Sequence, residues 1–342
     1  MIVEHFNANQ VRPSNNVGLH PQLISYEVAR DDGINVGSNN PQVVAPGGSR
    51  TYRWYAGDLK MQPDGKLVAT PVEFGAINLS SSDLIKHSNK GAVAALVIEP
   101  KESTWKTDFE LNKNRKSRTA ATIKNAAGNV LFREFVTIFQ DDLNFRFGHK
   151  LGDGTIADDG AVPNTADAED AEDSGQKALN YRSEPMWLRT GFAPNAPLGF
   201  TRTLDFKDIL TNGQVGGDPE TPVFTAAAGD QVRFRVLQPG GHPRNHVFTV
   251  NGHVWQELPY VVDSTKIGDN KAANGKFMTM FEGARMGHGP TNHFDVVLQN
   301  GAGGKFLSLV TTSSATWHLS CSMEGCGVSC GLLNNRSKQL FS

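Results

Sequence analysis

The residues that could do chemistry crowd into one stretch, Gly229 to Trp255, which reads GDQVRFRVLQPGGHPRNHVFTVNGHVW. His242, His246 and His253 lie in it, and neutral imidazole is the commonest side-chain ligand for a transition metal. On a β scaffold the same three residues can also serve as hydrogen-bonded structural groups. His288 or His293, from GHGPTNHF, could complete a single mononuclear site with them. His246 and His253 fall on opposite faces of a regular strand, so that site needs a bulge at Asn251 and Gly252. The neighbouring carboxylates Asp141 and Asp142 also point to opposite faces, which is wrong for joint acid–base work.

These side chains need strands to position them. Val232, Phe234 and Val236 alternate with Arg233 and Arg235, which predicts a strand with one buried and one wet face. Pro239, Gly240 and Gly241 then turn the chain, and Phe248 and Val250 alternate along a second strand. The same grammar recurs over the 342 residues: 35 Gly and 17 Pro punctuate short β-branched and aromatic runs, the mark of a β protein with many turns. Gly18 to Val28, Thr51 to Ala56, Ala92 to Ile98 and the run FREFVTIFQ read as strands, with AAGN as a turn before the last. APGGSRTYRWYA and AAAGDQVRFRVL are weak internal repeats, one in each half.

Composition narrows the partners. Net charge is −2 and Lys and Arg are scattered, so the chain offers no basic surface for a nucleic acid. It has no run of about eighteen apolar residues to insert in a membrane, and MIVEHFNANQ has neither the basic start nor the apolar run of a signal peptide. All three cysteines, Cys321, Cys326 and Cys330, lie near the C-terminus, in a spacing that matches no common zinc pattern. The acidic stretch from Gly148 to Gly175 reads as a solvated linker; Asp167, Glu169, Asp170, Glu172 and Asp173 could offer oxygens to calcium, without the spacing of an EF-hand loop. The expected domains are 1–147, then an acidic linker over 148–180, then 181–308, with 309–342 as a tail.

The motifs in this order resemble the multicopper oxidase family, in its ceruloplasmin-like and hephaestin-like branch. GDQVRFRVLQPGG followed by HVFTVNGHVW is similar to a cupredoxin domain in which a Gly-Asp strand precedes HPxHLHGHxF, and PGGSRTYRWYA with SSDLIKHSNKGAVAALVIEP is similar to the companion pair carrying H-S-H. The resemblance spans roughly residues 17 to 310. It implies an all-β fold of two tandem cupredoxin-like Greek-key sandwiches, the first lacking N-terminal strands and the second its C-terminal strands. It also implies copper as cofactor, electron transfer to dioxygen, a periplasmic or extracellular setting, and partners that are upstream cupredoxin domains or a second copy of the chain.

Ligand by ligand, the resemblance implies a depleted site. His246 matches the histidine that serves the mononuclear copper, and His253 restores the match at the motif's end, but Thr249 and Asn251 stand at the two cluster positions. His20 matches the first histidine of an H-x-H pair whose second member is Gln22; Ser81 and Asp83 occupy the H-S-H positions, and His87 falls where the family often has glutamine. Hydroxyl and amide groups do not replace imidazole on copper, and blue copper also needs a thiolate. The expected chain is therefore a fragment of a longer oxidase, inactive alone, with two alternatives: a metal-free scaffold that binds a partner, or one mononuclear copper at His242–His253.

The tail breaks the pattern. From Lys305 it reads KFLSLVTTSSATWHLSCSMEGCGVSCGLLNNRSKQLFS, but Leu309 to Leu332 read one base earlier is compatible with GDYLFRDMASFLFDGGMWGVLRV, which looks like a closing cupredoxin strand. A frameshift that replaces two strands and leaves sandwich edges open is the expectation.

Overall fold

A computed structural model describes residues 14–71, 73, 75–83, 87–88, 92–113, 119–140, 146–153, 156–161, 177–179, 182–184, 223–227, 229–240, 246–251, 253–264, 266–298, 307–312, 316–324 and 327–334. The chain is all-β, and the only helices among these residues are the short turns Val28–Asp31 and Asp108–Leu111.

The predicted strand at the centre of the histidine stretch, Val232–Gln238, is also central in space. It runs antiparallel to Asn292–Leu298 on one side and parallel to Val130–Gln140 on the other. The eleven residues of Val130–Gln140 are long enough to take two partners on their far edge, Ala120–Lys124 and Lys177–Leu179, and Arg182–Glu184 extends the sheet. The turn before this strand is the expected one, closed by hydrogen bonds between Asn125 and Asn129.

Two further sheets cover this one. On one side lies the sheet ordered Val223–Ala227, Gly327–Asn334, Thr316–Glu324, Leu307–Thr312, His246–Asn251, Ala284–His288. Phe224, Phe248 and Val250 from it pack with Phe135, Phe234, Val236, Phe294 and Val296 of the central sheet. On the other side the sheet of Leu19–Pro21, Gly75–Ser81 and Ala94–Ile98 sets Ala76, Ala95 and Val97 against Val136, Ile138 and Leu237. An exposed hairpin, Gly57–Met61 with Leu67–Pro71, stands beside that layer.

Three expectations change. The wet face of Val232–Gln238 does not exist: Arg233 is 7% and Arg235 0% exposed, because a middle sheet is covered on both sides. The described residues of 148–180, expected as a linker, include strands: Ile156–Ala161 pairs with Arg146–Lys150, and Lys177–Leu179 joins the central sheet. The edges expected to stand open in the second half are paired, Val223–Ala227 by Gly327–Asn334 and His246–Asn251 by Leu307–Thr312. Runs of Leu, Val and Thr carry β propensity whatever reading frame produced them.

Candidate functional site

Each histidine has a distinct placement. His20 sits on Leu19–Pro21 opposite Ser80, its Nδ1 2.9 Å from a carboxylate oxygen of Asp32 and 3.0 Å from the Asp32 carbonyl. Both oxygens accept, so Nδ1 is the donor, and the carboxylate fixes the orientation of the ring. The same aspartate shapes the neighbouring ring: burial first, then a hydrogen bond to Asp32 and its charge, push Tyr26 up to about 12. His87 is fully engaged. Its Nε2 lies 2.6 Å from the Ser14 carbonyl and must donate there, so Nδ1 accepts the hydroxyl of buried Ser81 at 3.0 Å.

In the second half the backbone register places two of the candidate histidines on paired strands. His246 lies directly opposite His288 on the neighbouring antiparallel strand, with a register shift between His246 and Phe248. His253 is in the loop after the strand, where its backbone N–H donates to the Val250 carbonyl at 3.1 Å. His293 pairs with Leu237, and burial lowers its pKa. His242, Cys326, Asp141, Asp142 and the acidic residues 167–173 lie outside the described residues. Cys321 and Cys330 are paired in backbone register across two strands of the tail. Among the described residues no three His, Cys, Asp or Glu converge on a point where they could hold a metal ion.

The two halves meet at Gln22, where the resemblance asked for a cluster ligand, and at Asn78, which it did not name. Gln22 donates through Nε2 to the Thr291 carbonyl at 3.2 Å, and Asn78 donates to the Asn292 carbonyl at 3.1 Å. Ser81 is committed to His87. The residues present at this seam make amide and hydroxyl hydrogen bonds and do not fit a trinuclear copper cluster.

What the sequence reading missed is a cluster of buried ions further along the same seam. Arg235 is fully buried; its Nε is 2.6 Å from Glu134, its Nη1 2.8 Å from Asp295 and its Nη2 3.7 Å from Glu99. Arg233 reaches Glu73 at 2.7 Å and lies over the Phe132 ring at 3.6 Å. On the opposite face Arg133 meets Asp108 at 2.5 Å, held out by a helix whose capping box links Thr107 and Glu110. Cross-strand register explains the placement: Arg235 is opposite Asp295, and Arg233 is beside Glu134. Gly75, at φ +71°, lies so close that a Cβ there would sit 2.3 Å from an Asp295 carboxylate oxygen.

The electrostatics follow from that geometry. Burial opposes the Arg235 cation most, yet Asp295, Glu134 and Glu99 together outweigh it and hold the guanidinium above its ordinary value. Arg233 goes the other way, lowered by burial and then by repulsion from Arg235, with Glu73 offsetting part of this. Burial raises Asp295 against the pull of Arg235. Beside the cluster a cleft of about 1180 Å³ opens between Asp58, Lys60 and Glu73 on one side and Tyr260, Asp263 and Lys266 on the other. Burial, then the charge of Asp295, pushes Tyr260 up to about 12. The signal in the sequence was the set of charges inside apolar strands, Arg233 and Arg235 in RFR, Glu134 in REF and Asp295 in HFD, which are complementary in sign.

No protein family model matches the chain, and no curated protein does. Among solved structures, the chain is similar to the blue copper oxidase from Nitrosomonas europaea at 13% identity and a TM-score of 0.36, covering 93% of this chain and 68% of that one.

Proposed function

We propose that this chain is a cupredoxin-like module of the multicopper oxidase type that acts as a scaffold for copper-bearing partners and does not by itself house the oxidase cluster. One observation carries the reading. Two of the positions at which the resemblance demands imidazoles are occupied by groups already engaged in structural hydrogen bonding, Gln22 with Thr291 and Ser81 with His87. In an oxidase of this type copper passes electrons from a substrate to dioxygen; this chain's residues would contribute the walls around such a centre and the joint between its halves. The partner is either a cupredoxin domain encoded upstream or a second copy of the chain, and the resemblance puts both outside the cytoplasm.

The experiment is metal analysis with visible absorption on the purified chain after incubation with copper. The expected result is less than one tightly held copper per chain and no blue band. Three or more coppers per chain, with dioxygen consumption, would reject the scaffold.

A second reading, one mononuclear copper in the second half, is favoured by the register that sets His246 opposite His288. Two imidazoles on adjacent strands can chelate copper, although without a thiolate they do not make a blue centre. One copper per chain, lost in His246→Ala, would establish this reading over the first.

A further inference from the structure

The ion cluster has more carboxylates than cations. Glu73, Glu99, Glu134 and Asp295 share a buried space with Arg233 and Arg235. Three of the four acids make a short contact to a guanidinium. Glu99 does not. Its nearest approach to Arg235 is 3.7 Å, beyond hydrogen-bond range, and no N–H or hydroxyl group satisfies either of its buried oxygens; its hydrogen-bonding neighbour is the Glu134 carboxyl, and that bond forms only when one of the two acids carries a proton. Its side chain is only 4% exposed and lies at the wall of the cleft beside the cluster. A carboxylate in that position would be a buried charge beside the Glu134 carboxylate, an arrangement that is relieved by binding a proton.

We propose that Glu99 is the proton-binding residue of the seam, held as a neutral acid in the folded chain, and that its deprotonation loosens the joint between the outer three-stranded sheet and the central sheet. The joint is a lock closed at neutral pH and weakened in alkali. This inference stands apart from the copper reading and survives its failure.

The surroundings support it from every side. Glu134 comes from Val130–Gln140, Arg233 and Arg235 from Val232–Gln238, Asp295 from Asn292–Leu298, Glu73 from the approach to Gly75–Ser81, and Tyr260 from the cleft wall. Lys101, two residues beyond Glu99, is spent on Glu102 at 3.7 Å and is largely exposed. Burial foremost, then the charge of Glu134 and a hydrogen bond with it, lifts Glu99 to about 9, against the opposing pull of Arg235 and Arg233. Tyr260 stays protonated through that range. The sign follows by linkage. A carboxyl whose folded pKa lies above its ordinary value of 4.5 takes up a proton on folding between 4.5 and about 9. Its favourable state is fully present below that window and is lost as pH rises through it.

Urea unfolding of the full chain, measured across that pH window for wild type and Glu99→Gln, tests the proposal. Glutamine mimics the neutral acid, so the wild-type folding constant should fall relative to the variant by about tenfold per pH unit. Parallel curves would overturn the idea. Should the variant not fold, infrared spectroscopy of the wild type decides alone. A protonated carboxyl stretch present at neutral pH and lost near pH 9 supports it, whereas its absence at neutral pH in the folded chain overturns it.

Discussion

The two faces of the Val232–Gln238 strand are both buried, yet different forces hold them. One face contributes Val232, Phe234 and Val236 to a core where Phe234 stacks among Phe135 at 5.2 Å, Phe224 at 5.8 Å and Phe248 at 6.2 Å. The other contributes Arg233 and Arg235 to a charge network shared with both neighbouring strands and with the outer sheet. The apolar face tolerates any packing of roughly the right volume, because dispersion and the hydrophobic effect have little direction. The charged face accepts one register only: slide either neighbour by a residue and a guanidinium loses its carboxylate while still desolvated. The first face supplies cohesion, and the second specifies which strands lie side by side.

Mutations should separate the two roles. Arg235→Ala is expected to have the largest effect, about 3–5 kcal/mol of stability by denaturant titration, since it strands Glu134 and Asp295 without a counter-charge. Phe234→Ala should cost about as much, 3–5 kcal/mol, but with the pH dependence of the wild type, because the loss is one of cavity and transfer. If Arg235→Ala followed the wild-type pH profile too, the distinction between the faces would fail. Gly75→Ala should cost about 2 kcal/mol, combining a left-handed backbone with displacement of the Asp295 carboxylate, and a crystal structure of the variant should show that carboxylate moved. At the small end, Lys66→Ala removes an exposed pair with Asp64 and should change stability by under about 0.5 kcal/mol.

The apolar face was legible in the sequence and the charged one was not. Alternation of Val232, Phe234 and Val236 identifies a buried stripe from five residues of text, and these residues are 7%, 1% and 0% exposed. The same alternation assigned Arg233 and Arg235 to water, because a local pattern cannot reveal that a third layer will cover the second face. That layer is supplied by Glu73, Glu99 and their strands, more than a hundred positions upstream. Histidine register is non-local in the same way. Spacing within one strand joined His246 to His253, whereas the antiparallel register across strands brings up His288. His87 likewise marked a motif position, and its commitment to Ser14 and Ser81 depends on a backbone carbonyl 73 residues away.

The parallel pairing of Val130–Gln140 with Val232–Gln238 bears on how the chain is made. Glu134 and Arg235 are 101 positions apart, and at roughly 5–20 residues per second the ribosome needs about 5–20 s to deliver the second after the first. Throughout that interval the inner edge of Val130–Gln140 must wait, its apolar residues open to any other strand. Glu134 and Arg133 punctuate that waiting edge with charge, and they discourage pairing with a strand that lacks the matching arginines.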